Sequence, residues 1–405
     1  MRSLVMDKRN ILIGVSGGIA VYKVAYLIRL YKKNNFNVKV VMSENAAEFV
    51  SPVTFETLSE NPVYMDTFKL NHNSEKNGFI PHIHLSDYAD IFVLAPATAN
   101  ILGKIANGIA DDILSTTAIA LKRKIPKLIF PAMNINMYEN PINQKNIEKL
   151  KNNGYKVFEP GEGELACGVE AKGRLIPEKD IFELTKKYLK KQKLKGKKIL
   201  VTSGATIEPI DPVRYITNHS TGKMGNSLAK VCWSYGADVD LVSGRYGRKV
   251  SLINQYYVDK GEDMWRKIDN LISNKDYDYI IMASAVSDYK VNEIKKQKIK
   301  KKSKQLALKM EKTRDIIKSI KEKYDIPVIG FAAETENIKD NAKKKLKEKG
   351  LFAIVANDVS RDDIGFGSDE NQCTIIMEDK IIETDKLSKY EIAEQIVSVI
   401  EGGEK

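Results

Sequence analysis

The feature that most constrains this chain is a rhythm of short, largely apolar runs, most of them followed by small residues and a stretch with helical spacing. In the first half the runs are residues 11–15, 38–42, 91–95 and 128–131. They are apolar at successive positions rather than alternate ones, so they read as strands buried on both faces, as in a parallel sheet. Between the first two, Val21, Val24, Ile28 and Tyr31 line one side of a helix, and residues 112–121 read as another. Alternation of this kind predicts a doubly wound α/β domain. After residue 198 the rhythm restarts, with strands at 199–203, 239–243, 279–283, 328–331 and 353–356. A hairpin at 373–378 and 380–383, turning at Asp379, and a helix at 388–401 close the chain. The fold class is therefore α/β with two Rossmann-like domains, 1–195 and 196–405, meeting near Gly196. A glycine-dotted loop (Gly161, Gly163, Gly168, Gly173) and a lysine-rich helix at 178–192 precede that boundary.

Composition narrows the partners. No run of 18 apolar residues occurs, and Met1–Asn10 lacks the apolar core of a signal peptide, so neither a membrane span nor secretion is expected. Three widely spaced cysteines, Cys167, Cys232 and Cys373, suit neither a disulfide framework nor a cysteine-rich metal site, and fit a reducing cytoplasm. The net charge of +12 asks for anionic ligands. Nine of the lysines fall in residues 295–312 without the arginines or aromatics that stack bases, so a solvated loop is expected there and no nucleic-acid partner.

In the first half, Gly14-Val15-Ser16-Gly17-Gly18-Ile19-Ala20 follows a strand and opens a helix. Glycines let backbone N–H groups approach a phosphate at the helix N-terminus, although such turns also serve packing alone. The dinucleotide fingerprint is absent, and the second strand ends in Ser43 rather than an acidic residue, which favours a mononucleotide. Ala95-Pro96-Ala97-Thr98-Ala99-Asn100 and Pro131-Ala132-Met133-Asn134 end two further strands at the carboxyl edge, where open α/β sheets bind ligands. Asn134 is also well placed simply to cap the next helix. His82 and His84 flank an apparent strand, where a surface histidine is the bland alternative.

Together the segments GVSGGIA, HIHLSDYAD, APATAN, PAMNINMY and ACG resemble the flavin-containing cysteine decarboxylases, in particular bifunctional coenzyme A enzymes that join a phosphopantothenoylcysteine decarboxylase to a phosphopantothenate–cysteine ligase. The resemblance implies FMN held by Gly14, Ser16, Gly17, Ser43, Thr98 and Asn100. It implies His82 as the catalytic histidine, Asn134 as holder of the substrate carboxylate, and Cys167 as the acid that completes turnover. It further implies a homo-oligomer, built from trimers through the decarboxylase and dimers through the ligase.

In the second half, Thr217-Asn218-His219-Ser220-Thr221-Gly222-Lys223-Met224-Gly225 leads into a helix with residues suited to a phosphate chain, yet a Walker A loop cannot be written there. This segment, with 202–216, ASAVSDY at 283–289, KIKK at 298–301, GFAAET at 330–335 and ANDV at 356–359, resembles the ligase half of the same enzymes. The resemblance implies CTP bound by Ala283, Asp288, Lys298, Phe331, Lys345 and Lys349, with Mg2+ or Mn2+ at Asp288. Arg214 would take the phosphate of 4′-phosphopantothenate, Asn218 would stabilise an acyl-cytidylate, and Lys298 would promote attack by the amine of cysteine. Where the family carries a proline before Asp315, this chain has Arg314. Competing readings are a related flavoprotein decarboxylase with another substrate and a flavin-binding module without catalysis. The ligase half weighs against the first, and His82, Asn134 and Cys167 together against the second.

Overall fold

The computed structural model describes residues 9–67, 80–164, 170–300, 305–360, 363 and 367–402. The chain divides into two compact units, Met1–Lys190 and Lys191–Lys405.

The first unit is built on β1 (Asn10–Val15), β2 (Asn37–Met42), β3 (Val63–Tyr64), β4 (Ile91–Ala97), β5 (Lys127–Pro131) and β6 (Lys156–Val157). They form one parallel sheet in the order β3-β2-β1-β4-β5-β6. The central strands are inaccessible to water: Ile11, Leu12, Ile13, Ile91, Phe92 and Val93 are fully buried. Helix α1 (Tyr22–Lys33) covers one face with Val24, Leu27, Ile28 and Tyr31, the spacing that turns one side of a helix toward a core. Tyr31 also fixes α1 to its neighbour. Its hydroxyl lies 2.6 Å from Thr185 Oγ1, and its ring meets those of Phe36 and Phe182.

Two expectations are corrected here. His82 and His84 do not flank a strand; they lie in the first turn of helix α2 (Pro81–Tyr88). Pro81 supplies the preset φ of a first helical position, and Leu85 and Ser86 turn inward, so the short apolar stretch is a helix face. Within the glycine-dotted loop, Gly161–Glu164 and Glu170–Arg174 form an antiparallel pair, and Gly168 lies outside the described residues. Gly163 and Gly173 sit at φ +138° and +154°, which side chains rarely tolerate, so these two glycines are strand positions rather than loop punctuation.

The second unit carries β7 (Lys198–Ser203), β8 (Asp238–Gly244), β9 (Asn254–Val258), β10 (Tyr279–Met282), β11 (Val328–Glu334), β12 (Ala353–Asp358), β13 (Cys373–Ile376) and β14 (Ile381–Glu383). The order is β9-β8-β7-β10-β11-β12-β13-β14, parallel except for the last two strands. Alternate side chains feed two cores on opposite faces. Ile199, Val201, Leu241, Ile281 and Ile329 join one cluster, and Leu200, Val242, Ile280 and Val328 the other. Helices α3 (Lys223–Ser234) and α4 (Lys389–Gly402) seal the first. Cys232 and Cys373 are both in that cluster, and burial pushes their thiols up to about 12 and about 11, which makes them packing residues. Edge strand β9 escaped the sequence reading because only Val258 in it is buried. Among the described residues no helix is long and apolar enough to cross a membrane.

Gly225 shows how closely α3 approaches β7. A Cβ there would lie 2.6 Å from the Thr202 carbonyl oxygen and 2.7 Å from Ser203 Cβ. Gly225→Ala must push the helix off the strand, and overpacking of this kind costs about 1–3 kcal/mol. The expected result is a lower urea midpoint for the second unit; an unchanged midpoint would show that the helix moves without cost.

Candidate active sites

In an open parallel sheet, ligands bind where the strand order reverses, because the loops after the two central strands run to opposite faces and leave a crevice. In the first unit that point lies between β1 and β4. A cavity of about 840 Å3 opens there, with Ser16, Gly17, Ser43, Thr98, Asn100 and Asn134 in its wall. Gly17 lies so close to Asn45 that a Cβ would sit 2.5 Å from Asn45 Cβ and 2.7 Å from its carbonyl carbon. Ser16 is buried; its hydroxyl donates to the Pro96 carbonyl at 2.8 Å and accepts from Thr98 N at 3.0 Å. It therefore ties together the two loops that form the crevice. Gly14 packs against the core beneath this turn. It is absent from the lining, and a Cβ would meet Leu114 and Phe92 at 2.8 Å, so its missing side chain makes room for packing.

Asn134 does cap the helix Ile135–Glu139, accepting from Asn136 N at 2.8 Å, and it also faces the cavity. The preceding residue is pinned to the glycine-rich pair by Met133 N–H donating to the Gly173 carbonyl at 3.0 Å. Cys167 lies outside the described residues. His82 is not in the cavity wall, and its Nδ1 is buried with no hydrogen-bond partner. The wall also holds charges that sequence spacing gave no reason to group. Lys104 bridges Asp111 and Asp112, both at 2.7 Å. Burial, and then the nearby Arg174 guanidinium, hold the Lys23 ammonium below its usual range.

In the second unit the order reverses between β7 and β10. Two adjoining cavities, of about 540 and 450 Å3, share Ser284, Val286, Asp288 and Phe331. Asn218, Ala283 and Lys345 line the larger, and Lys349, Arg314 and Asp315 the smaller. Gly222, at φ +73°, starts α3 beside Ser203; a Cβ would come 2.8 Å from Ser203 Oγ. Asn218 Nδ2 donates to the Val286 carbonyl at 3.0 Å, joining the two loops across the reversal. Lys345 pairs with Glu334 at 2.6 Å and Lys349 with Asp315 at 2.8 Å. Burial raises the Asp315 carboxyl, but Lys349 and the capped Lys318 N–H outweigh it and hold the group below the usual range.

Arg214 and Lys298 do not line either cavity. The structure brings them near each other instead, since Arg214 donates to the carbonyl of Ile299 at 3.2 Å. Arg314 donates to Glu262 at 3.0 Å and lies 5.4 Å from the Trp265 ring centroid, so it anchors the turn before Asp315 to the helix Gly261–Asn274. The larger cavity also holds Lys223, from the phosphate-suited segment at 217–225, and two residues that sequence reasoning missed, Lys389 and Asn371. The last two come from the far C-terminal region, so nothing in their local sequence signals the placement. Among the described residues no three metal-ligating side chains cluster. A magnesium ion held by one carboxylate and nucleotide phosphates needs no such cluster, and Asp288 faces both cavities.

Comparison with known proteins follows the same division. Residues 2–190 match the Flavoprotein family, and residues 194–402 match the DNA/pantothenate metabolism flavoprotein C-terminal domain. Over 380 residues the chain is 43% identical to the coenzyme A biosynthesis bifunctional protein CoaBC of Bacillus subtilis, covering 92% of each. Over 403 residues it is 40% identical to that of Borreliella burgdorferi, covering 98% of this chain and all of the relative. The chain belongs to the CoaBC family.

Membership of the Flavoprotein family puts a flavin in the first unit, and the Gly17 cradle gives it a test. With backbone atoms of Asn45 under 3 Å from any added Cβ, Gly17→Ala cannot keep the close approach. The variant is expected to purify with less than about a tenth of the flavin, read from the visible flavin bands. Full retention would place the cradle elsewhere.

Proposed function

We propose that the second unit joins cysteine to 4′-phosphopantothenate through an acyl-cytidylate made from CTP, and that the first unit decarboxylates the resulting 4′-phosphopantothenoylcysteine to 4′-phosphopantetheine. The observation that carries this reading is the similarity to CoaBC proteins along nearly the whole chain, together with a cavity at each sheet reversal. FMN, which Ser16, Gly17, Ser43, Thr98 and Asn100 would hold in the first cavity, would supply a two-electron acceptor that oxidises the thiol before CO2 leaves and returns the same two electrons afterwards, so that no net oxidation occurs. Asn134 orients the carboxylate through a neutral amide, which holds it without stabilising it against departure. Cys167 returns a proton, and His82 is the catalytic histidine.

His82 lies outside the wall of its own cavity, so it serves the cavity of another copy in a homo-oligomer. Ile19, Tyr22 and Tyr26 favour such an assembly. They follow one face along the start of α1 and are 61%, 50% and 59% exposed. Tyr26→Glu is expected to dissociate the oligomer in sedimentation and to abolish decarboxylation while cysteine ligation continues. An assembled, active variant would overturn this arrangement.

In the second unit, Asp288 would hold Mg2+, which would supply, together with Lys345 and Lys349, positive charge to offset the triphosphate as it meets a carboxylate. Asn218 donates toward the acyl-phosphate, Arg214 takes the substrate phosphate, and Lys298 acts when the amine attacks. Quenched single turnovers with labelled CTP test this division. Lys298→Gln should release pyrophosphate without matching CMP, and Asn218→Asp should release little of either. Identical blocks in the two variants would refute the split, and absence of both activities in the native chain would refute the assignment.

A further inference from the structure

Asp211 is a carboxylate with no solvent exposure of its side chain, and it lines neither cavity of the second unit. Burying an anion is costly unless every acceptor is used. Here both oxygens are used, and for different purposes. Oδ1 accepts from the backbone N–H groups of Val213 and Arg214, both at 2.8 Å, and so shapes the turn that presents Arg214. Oδ2 accepts from Ile299 N at 3.1 Å and lies 3.7 Å from Arg214 NH1. Arg214 returns the link through NH2 to the Ile299 carbonyl at 3.2 Å, and Lys295 N–H donates to the Ile210 carbonyl at 3.0 Å.

Residues 210–214 and 295–299 are thus joined at both polar groups of Ile299, next to Lys298 in sequence. Lys298 itself is exposed, so its own side chain does little to set its place. We propose that Asp211 is a positioning residue for Lys298: it holds the lysine segment on the Arg214 turn, so that phosphate recognition and aminolysis are organised by one buried carboxylate. The inference rests on the roles given above to Arg214 and Lys298. The backbone hydrogen bond from Ile299 leads the causes that hold the Asp211 carboxyl below its usual range, so the link persists down to acidic pH.

Asp211→Asn separates the two jobs. An amide oxygen can still accept from Val213 and Arg214, whereas an amide nitrogen in place of Oδ2 faces the Ile299 N–H donor to donor. In the full-length protein, hydrogen exchange at the Ile299 amide is expected to speed up at least tenfold in the variant, with β7 amides unchanged. In single turnovers with labelled CTP, conversion of acyl-cytidylate to amide should slow at least tenfold at saturating cysteine, with a far smaller effect on pyrophosphate release. Unchanged exchange at Ile299 would overturn the link. Equal loss of protection in β7 would make Asp211 a fold-stabilising residue only, and faster exchange with normal amide formation would remove the positioning role. Lys298→Gln run alongside keeps the readings apart. If it forms amide normally, the assignment of Lys298 fails, whatever the exchange data say about Asp211.

Discussion

The reversal of strand order beside the first strand of each sheet is the constraint on which everything else depends. A right-handed crossover can carry the chain outward from β1 only in one direction at a time, so β2 and β3 build one way and β4 to β6 the other. The loops after β1 and β4 must then part, and no side chain of the sheet itself can fill the space between them. The second unit repeats the arrangement with β7 and β10. What each unit does with the crevice is decided by a few buried polar ties across it. Ser16 joins its loop to Pro96 and Thr98, and Asn218 joins its loop to Val286. In both places a residue that sequence inspection would give to the ligand spends at least part of its hydrogen-bonding capacity on holding the crevice open.

Much of this was legible from the sequence because buried parallel strands leave an unmistakable trace. Every strand whose burial is nearly complete was located, and β9, whose side chains are mostly accessible, was not. The α2 segment failed for a related reason. Pro-His-Ile-His-Leu is too short to distinguish period two from period 3.6, and only the inward turn of Leu85 and Ser86 settles it. Gly163 and Gly173 looked like loop residues because glycine at positive φ is the usual sign of a turn, yet here it serves a strand pair. The loops that follow the central strands were legible from the sheet pattern, and the residues within them were named from the family resemblance. Lys389 and Asn371 were missed, because they reach the larger cavity from elements added after the doubly wound core.

The two crevices share a topology and differ in electrostatics, and that difference accounts for their division of chemistry. The first mixes apolar side chains with hydroxyls, amides and glycine backbone, and its three cations, Lys23, Lys104 and Arg174, are matched in number by Glu44, Asp111 and Asp112, the last two paired with Lys104. Such a wall can hold a mononucleotide and orient a carboxylate while leaving it able to depart, since strong cationic pairing would stabilise the ground state more than the transition state. The second gathers lysines, and the ion pairs seen there are made with the protein's own carboxylates: Lys345 with Glu334, Lys349 with Asp315 and Lys223 with Asp369. For the lysines to bind a polyphosphate as proposed above, each pair would have to loosen. Exposed pairs of this kind are worth only about 0–1 kcal/mol, so the exchange costs little. Lys389 differs from them. It is 7% exposed, and burial and then Lys223 lower its proton affinity, so an anion brought into the cavity would relieve a repulsion that the carboxylates do not fully offset. A cleft of this design is matched to a ligand carrying several negative charges, and a cleft like the first to one that must shed its charge.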